Sequence, residues 1–281
     1  MSAGRLLLAG CGFVGLATAR RFHALGWEVV ALTRSAESAA QLAGEPFAVQ
    51  ACDILDREAL ARLGSFDAVI DCVSSGHGTA DDYRRVYLEG AEALLAVFPK
   101  ARFIFTGSTS VYAQNDGSVV DETSPAEPER ETGCILRATE ERVVAAGGWV
   151  LRLAGLYGPG RWALLRHFLE GVAVIEGDGS RWLNHTHRDD AAGAMAFVLA
   201  DESRRRVPPG IYNVTDSEPM TQRDAYALMA AHTHRPMPPH GPIDLARKRG
   251  VTSKRVSNAR LRALGWEPLY PSIREGLKAM A

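Results

Sequence analysis

Near the N-terminus, Leu6-Leu7-Leu8-Ala9 runs directly into Gly10-Cys11-Gly12-Phe13-Val14-Gly15. A short apolar run reads as a buried strand, and a helical pattern over residues 14–25 follows the glycines. Strand, Gly-x-Gly-x-x-Gly turn and helix, in that order, constrain the chain to open a βαβ unit whose turn can face a dinucleotide pyrophosphate. Gly10 makes the tight turn. Gly12, lacking a Cβ, lets the backbone at Phe13 and Val14 approach the phosphates, and Gly15 lets the helix pack close to the strand. The helix start then aims unpaired N–H groups and the positive end of its dipole at the anion. The same glycines also fit an ordinary βα turn with no ligand, so the rest of the chain has to supply the other walls.

It does so by alternation. The first helix carries Val14, Ala17, Phe22 and Leu25 on one face and closes at Gly26. A strand over 27–32 ends in Thr33-Arg34-Ser35. An Asp or Glu at this point would accept the ribose hydroxyls of NAD. Two hydroxyls and a guanidinium suit a ribose phosphate better, which favours NADP over NAD. Arg34 as a solvated loop residue, with Glu37 reaching the ribose, is the alternative. Ser35 is placed to cap a helix to residue 42. A strand over 47–53 ends at Asp53, where a side chain can meet the adenine amino group. Asp56 can cap a helix to 63. A strand over 66–72 exits through Val73 and Ser74 into a small-residue loop suited to lie along a cofactor. His77 in that loop reads as an exposed residue, with catalysis as the alternative. A long helix over 81–98 leads to a strand over 102–106, which exits through Thr106-Gly107-Ser108. The pattern predicts a doubly wound parallel sheet. Ligands of such sheets sit outside the strand C-terminal ends, which brings residues 10–15, 33–35, Asp53, Val73, Ser74, Thr106 and Ser108 to one crevice.

The second half adds a polar loop (115–128), a helix (135–146) closed by Gly147-Gly148, a strand (149–153) and a turn (156–161). It continues with helices over 162–171, 188–199 and 222–231, a strand over 210–214, a Pro/His-rich loop (232–242) and a tail with two short helices. The expected division is a dinucleotide-binding Rossmann domain of 1–158 plus about 188–214, and a smaller mixed α/β substrate lobe of about 159–187 and 215–281. With 46% hydrophobic and 23% charged residues the composition is globular, and a net charge of −1 supplies no field for nucleic acid or an anionic membrane. No apolar run approaches the ~20 residues of a membrane span, and the N-terminal run is too short for a signal peptide. Cys11, Cys52, Cys72 and Cys134 are scattered without a Cys-x-x-Cys pair, which fits reduced thiols in the cytoplasm rather than a zinc or disulfide framework.

Five segments in order resemble the extended short-chain dehydrogenase/reductases, or NAD-dependent epimerase/dehydratase family. They are Gly10-Cys11-Gly12-Phe13-Val14-Gly15, Phe105-Thr106-Gly107-Ser108-Thr109-Ser110-Val111-Tyr112, Leu151-Arg152-Leu153-Ala154-Gly155-Leu156-Tyr157-Gly158-Pro159-Gly160, His185-Thr186-His187-Arg188-Asp189-Asp190 and Tyr212-Asn213-Val214. The resemblance implies an NAD(P)-binding Rossmann fold, a small or sugar-like substrate, including nucleotide sugars, and Ser108 as the catalytic serine. It also suggests a homodimer paired through the helices at 81–98 and 135–146.

One motif of that family is absent. Its acid/base is a Tyr-x-x-x-Lys on the helix after the fifth strand, where the lysine charge lowers the tyrosine's pKa. Here those positions fall on Gly133 and Arg137. Arg137 can still bind a ribose hydroxyl and supply charge but cannot titrate. Tyr112, Cys134, Tyr157, His185 and His77 are the candidates for a substitute, with Tyr112 expected by default to pack behind the strand and Cys134 to pack as a small residue. His185, His187 and Asp189 have a spacing that could serve a metal, but ordinary contacts explain them as well, so no metal is expected. Tyr157, Arg161 and Arg181 are candidates for substrate contact, Arg181 with the adjacent Trp182 as a phosphate and stacking pair. The sequence thus points to an oxidoreductase or epimerase with a non-standard acid/base. A cofactor-binding sensor or assembly protein without turnover is the alternative.

Overall fold

In the computed structural model, which describes residues 3–76, 78–199, 207–244 and 252–279, the first strand occupies the middle of a sheet. Leu6, Leu7, Leu8 and Ala9 of β1 (Arg5–Ala9) have no exposed surface, and both edges of the strand are paired. The alternation continues through α1 (Phe13–Ala24), β2 (Glu28–Thr33), α2 (Ala36–Gln41), β3 (Ala48–Ala51), α3 (Arg57–Arg62) and β4 (Ala68–Asp71). The next helix has three parts, α4 (Ala80–Tyr83), a π-helical segment Arg84–Glu89 and α5 (Gly90–Val97). A wide turn of this kind accommodates extra residues without a breaker, so the sequence does not mark it.

β5 (Arg102–Ser108), β6 (Val119–Val120), α6 (Glu131–Ala145), β7 (Trp149–Leu153), β8 (Gly155–Tyr157) and α7 (Ala163–Leu169) follow. The chain then forms β9 (Ile175–Glu176), β10 (Trp182–Leu183), β11 (His185–His187), α8 (Arg188–Leu199), β12 (Gly210–Val214), β13 (Met220–Thr221) and α9 (Gln222–Thr233). It closes with β14 (His240–Gly241), β15 (Arg255–Val256), α10 (Ala259–Ala263) and α11 (Ile273–Lys278). Helix α6 starts four residues before the expected position, because Gly133 and Cys134 sit in its first turn, where weak helix formers cost least. The paired strands β6/β15, β9/β14 and β10/β13 have two residues each, too short for a periodic pattern.

Seven strands form one parallel sheet in the order β12-β7-β5-β4-β1-β2-β3. This is the doubly wound order. The chain runs outward from β1 through β2 and β3, then returns to lay β4 on the other side of β1, leaving a crevice above the β1 and β4 C-terminal ends. One face of the sheet packs Phe22, Trp27, Met195, Leu199 and Trp266, and the other packs Leu60, Leu94, Phe103, Leu136 and Val143. A third apolar core, beyond the strand ends, gathers Tyr157, Trp162, Phe168, Ile175, Tyr226, Met229, Ile273 and Leu277.

A buried ion cluster fastens α6 to the sheet. Glu140 accepts from Arg152 Nε and Nη2 at 2.9 and 2.7 Å, with neither side chain more than 2% exposed. Arg137 Nη1 donates to the same carboxylate at 2.6 Å, and the Arg152 guanidinium lies 4.8 Å from the Tyr112 ring centre.

Candidate cofactor and substrate site

The three glycines of the first turn are required for three different reasons. Gly10 has φ +91°, and a Cβ there would lie 2.7 Å from the Cys72 carbonyl and the Val73 nitrogen. A Cβ on Gly15 would lie 2.0 Å from the Gly10 carbonyl oxygen, so α1 could not approach β1. At Gly12 a Cβ would meet nothing within 4 Å. Gly12 is also the N-cap of α1, and no side chain caps that helix or adds an acid to its first turn. The turn is therefore a rigid cradle with one open, uncapped side, which fits a dinucleotide diphosphate at a helix start.

The other walls come from the strand ends. Thr33 and Ser35 are committed locally: Thr33 Oγ1 donates to the Ser35 carbonyl at 3.1 Å, and Ser35 caps α2 by accepting from the Ser38 amide. Arg34 between them is exposed and has no ion pair among the described residues. Asp53 is exposed, accepts from the Leu55 amide at 3.0 Å, and lies 3.6 Å from Arg85 of the π-helical segment. Val73 donates its amide to Asp71 Oδ1 at 3.2 Å, and Ser74 Oγ accepts from the Gly76 amide. Thr106 Oγ1 ties β5 to the end of β4 by donating to the Asp71 carbonyl at 2.9 Å.

Ser108, at the C-terminal end of β5, is half-buried. Its hydroxyl accepts from the Ser110 amide at 3.2 Å, so its own proton is available to a ligand oxygen. Residue 133, where the resemblance leads one to expect a tyrosine, has no room for a side chain unless a neighbour shifts. Gly133 is buried, and a Cβ on it would lie 2.5 Å from Pro128 Cβ. The ribose-binding expectation for Arg137 is corrected, since its guanidinium is spent on Glu140 and Glu141.

The candidate acid/base residues differ in burial and in partners. Tyr112 is fully buried and donates to Asn213 Oδ1 at 3.0 Å, as the packing expectation has it, and burial raises its pKa. Cys134 is an exposed thiol, not a packing residue, and lies 3.1 Å from the Pro128 carbonyl. Tyr157 has no exposed surface and packs against Trp162, His185 and His187, and burial raises its pKa. His185 is buried, with its pKa pushed down to about 4 by desolvation and then by Arg181, so it is a neutral ring. His187 accepts from the Asp189 amide at 3.3 Å, a structural bond. His77 lies outside the described residues. Among those residues no cluster of His, Cys, Asp or Glu is placed to hold a metal ion.

The lobe is partly rearranged from expectation. The arginine stacked on Trp182 is Arg255, at 5.1 Å, not Arg181. Arg181 is three-quarters buried, 3.6 Å from Glu176, and loses some of its proton affinity to desolvation. Arg161, expected at the substrate, instead has its guanidinium over the Phe13 ring.

Two buried acids were missed by sequence reasoning. Asp71 has no exposed surface, its Oδ2 has no hydrogen-bond partner, and desolvation raises its pKa to about 7. Asp216, 4.0 Å from His185 Nδ1, is raised well above the usual carboxylate value by burial. The signal for Asp71 was visible, an acid ending the otherwise apolar run Ala68-Val69-Ile70. For Asp216 there was none.

A doubly wound sheet with an open glycine cradle at its switch point, and a third apolar core built from the chain's later segments, defines a Rossmann-like α/β protein. Residues 6–215 match the NAD dependent epimerase/dehydratase family, and the chain belongs to it. It is 30% identical to the 3-diazoavenalumate denitrifying reductase of a Streptomyces species, over 97% of this chain and 99% of that one. It is 29% identical to protein YeeZ of Escherichia coli K12, over 95% and 96% of the two chains. The Thermotoga maritima UDP-glucose 4-epimerase, solved with UDP-glucose, superposes with a TM-score of 0.83 at 20% identity, over 98% and 97% of the chains, a likeness of fold. No helix among the described residues is long and apolar enough to cross a membrane.

Proposed function

We propose that this chain is an NAD(P)-dependent reductase or dehydrogenase for a small, polar, sugar-like substrate, working without a Tyr-Lys pair. The observation that carries the reading is the uncapped cradle at Gly12, held by Gly10 and Gly15, in a member of an NAD-dependent family. A bound nicotinamide supplies hydride exchange. Ser108 orients the substrate oxygen by donating its free proton, and the lobe around Arg181 closes over the substrate's polar end. Gly133 supplies no phenol to take the substrate's hydroxyl proton and return it, which reversible hydride exchange at a carbinol carbon requires. A one-way reduction needs only that a proton reach the product oxygen, and solvent can deliver it beside Ser108. That chemistry favours reduction over epimerisation, in keeping with the relative named as a reductase. Arg34, an exposed guanidinium just after β2 with no ion pair among the described residues, favours NADPH over NADH.

Titration of the purified protein with NADPH and NADH, followed by nicotinamide fluorescence, tests the reading; failure of both to bind sinks it. Arg34→Ala should weaken NADPH binding about tenfold and leave NADH within twofold, the loss expected for one charged hydrogen bond. A panel of aldehydes and keto sugars, free and nucleotide-linked, followed at the nicotinamide absorbance, tests turnover. Ser108→Ala should lower the rate on any accepted substrate without changing cofactor affinity.

A second reading rests on Gly133, Pro128 and the engaged Arg137: a dinucleotide-binding sensor or assembly protein without turnover. Tight NAD(P)H binding with no activity across the panel would favour it. We also infer a homodimer through α4–α5 and α6, where Val144 is 38% exposed; light scattering at micromolar concentration tests it.

A further inference from the structure

Two arginines that belong to separate segments each lie against the same ring, that of Phe13 beside the cradle. The guanidinium carbon of Arg161 lies 5.2 Å from the centre of the Phe13 ring, and that of Arg188 lies 5.4 Å from it. Phe13 is the first residue of α1, immediately after the open Gly12. Both arginines are held in place. Arg161 closes a tight turn in which Gly158 and Arg161 exchange two backbone hydrogen bonds of 3.0 Å. Arg188 starts α8 and lies against Gly158, where a Cβ would meet its Cγ and Cδ at 3.2 and 3.3 Å, and where φ is +153°. Arg188 shares its charge with Asp189 at 3.4 Å, whereas Arg161 is exposed and has no acidic partner among the described residues.

A ring that carries two guanidinium groups, one of them uncompensated, concentrates positive charge where the helix start already favours an anion. We propose that Arg161 and Arg188 form a cationic clamp, seated on Phe13, that closes over the diphosphate of the bound dinucleotide. The clamp rests on the cofactor reading given above and adds residues to it. It moves Arg161 from the substrate to the cofactor, and it makes dinucleotide binding the event that ties the turn at 158–161 to the first βα unit.

The test compares wild type with Arg161→Met and Arg188→Gln by fluorescence titration with NADH and NADPH, and by competition with ADP-ribose, at low and high ionic strength. Methionine keeps the packing on Phe13 and removes the charge. The clamp predicts that each variant loses about tenfold or more in affinity for all three ligands, the loss expected for a charged hydrogen bond. It also predicts that Arg161→Met makes binding less salt-dependent, while the melting temperature stays near that of wild type. Loss confined to NADPH would place the arginines on a ribose phosphate and overturn the clamp. Unchanged affinity for all three ligands would also overturn it and leave the cofactor reading intact, and no binding by wild type would remove both. Should Arg188→Gln lower the melting temperature, Arg161→Met and its salt dependence decide alone.

Discussion

Replacing Glu140 by alanine removes one carboxylate from a place where nothing can substitute for it. Glu140 is fully buried and receives two bonds from Arg152, whose side chain is 2% exposed, and a third from Arg137. Without it, Arg152 keeps the face of Tyr112 and no counter-charge, and its Nη1 already lacks a partner. Breaking a buried pair by removing one member costs about 3–5 kcal/mol, because the remaining charge stays desolvated. A chain of 281 residues unfolds with an entropy of about 0.6 kcal/mol/K, so the melting temperature should fall by roughly 5–8 °C. Differential scanning calorimetry reads this directly. Glu140→Gln, which keeps one acceptor, should fall between wild type and Glu140→Ala. The double variant Glu140→Met/Arg152→Met should recover most of the loss, since apolar replacement of a whole buried pair is close to neutral. A melting temperature for Glu140→Ala within 2 °C of wild type, or a double variant less stable than Glu140→Ala, would refute the reasoning.

Three further outcomes follow from contacts already described. Gly15→Ala should unfold more readily by about 1–3 kcal/mol in chemical denaturation, because its Cβ would lie 2.0 Å from the Gly10 oxygen, whereas Gly12→Ala should keep most of its stability and lose dinucleotide affinity in the fluorescence titration. Gly133→Ala should cost about 1–3 kcal/mol, and less in a Pro128→Gly background, where the obstructing Cβ is gone; equal costs in the two backgrounds would mean that Pro128 does not fill the site. Asp71, with its folded pKa raised to about 7, binds a proton in the folded chain that the unfolded chain has released, so its contribution to stability declines as pH rises from about 4 to 7. Asp71→Asn should therefore gain on wild type across that window, by up to about 4 kcal/mol, in denaturation curves at pH 5 and pH 8.

Local chemistry accounts for what could be read in advance. The glycine turn, the parallel strands and the caps at Ser35 and Asp56 depend on residues a few positions apart. The structure meets those expectations because period and capping act over one or two turns. Most of the strand-end residues expected at the crevice lie at strand ends for the same reason. Several candidate side chains share one fate. Tyr157, His185 and Tyr112 have the right chemistry for proton transfer, yet each is withdrawn from solvent by segments distant in the chain: Gly276 packs on Tyr157, Asp216 faces His185, and Asn213 takes the Tyr112 hydroxyl.

The sequence by itself determined that this protein folds as a doubly wound sheet with a dinucleotide turn at its head, and that residue 133, where the resemblance leads one to expect a tyrosine, is a glycine. Both are statements about residue type and short spacing. Only the tertiary structure decided that Pro128 lies against Gly133, that Arg137 is spent on Glu140, and that Arg161 and Arg188 both lie against Phe13. Each of these brings a side chain against a partner from another segment, and where such a side chain ends is fixed by packing and charge balance after the chain has closed on itself, which no local pattern encodes.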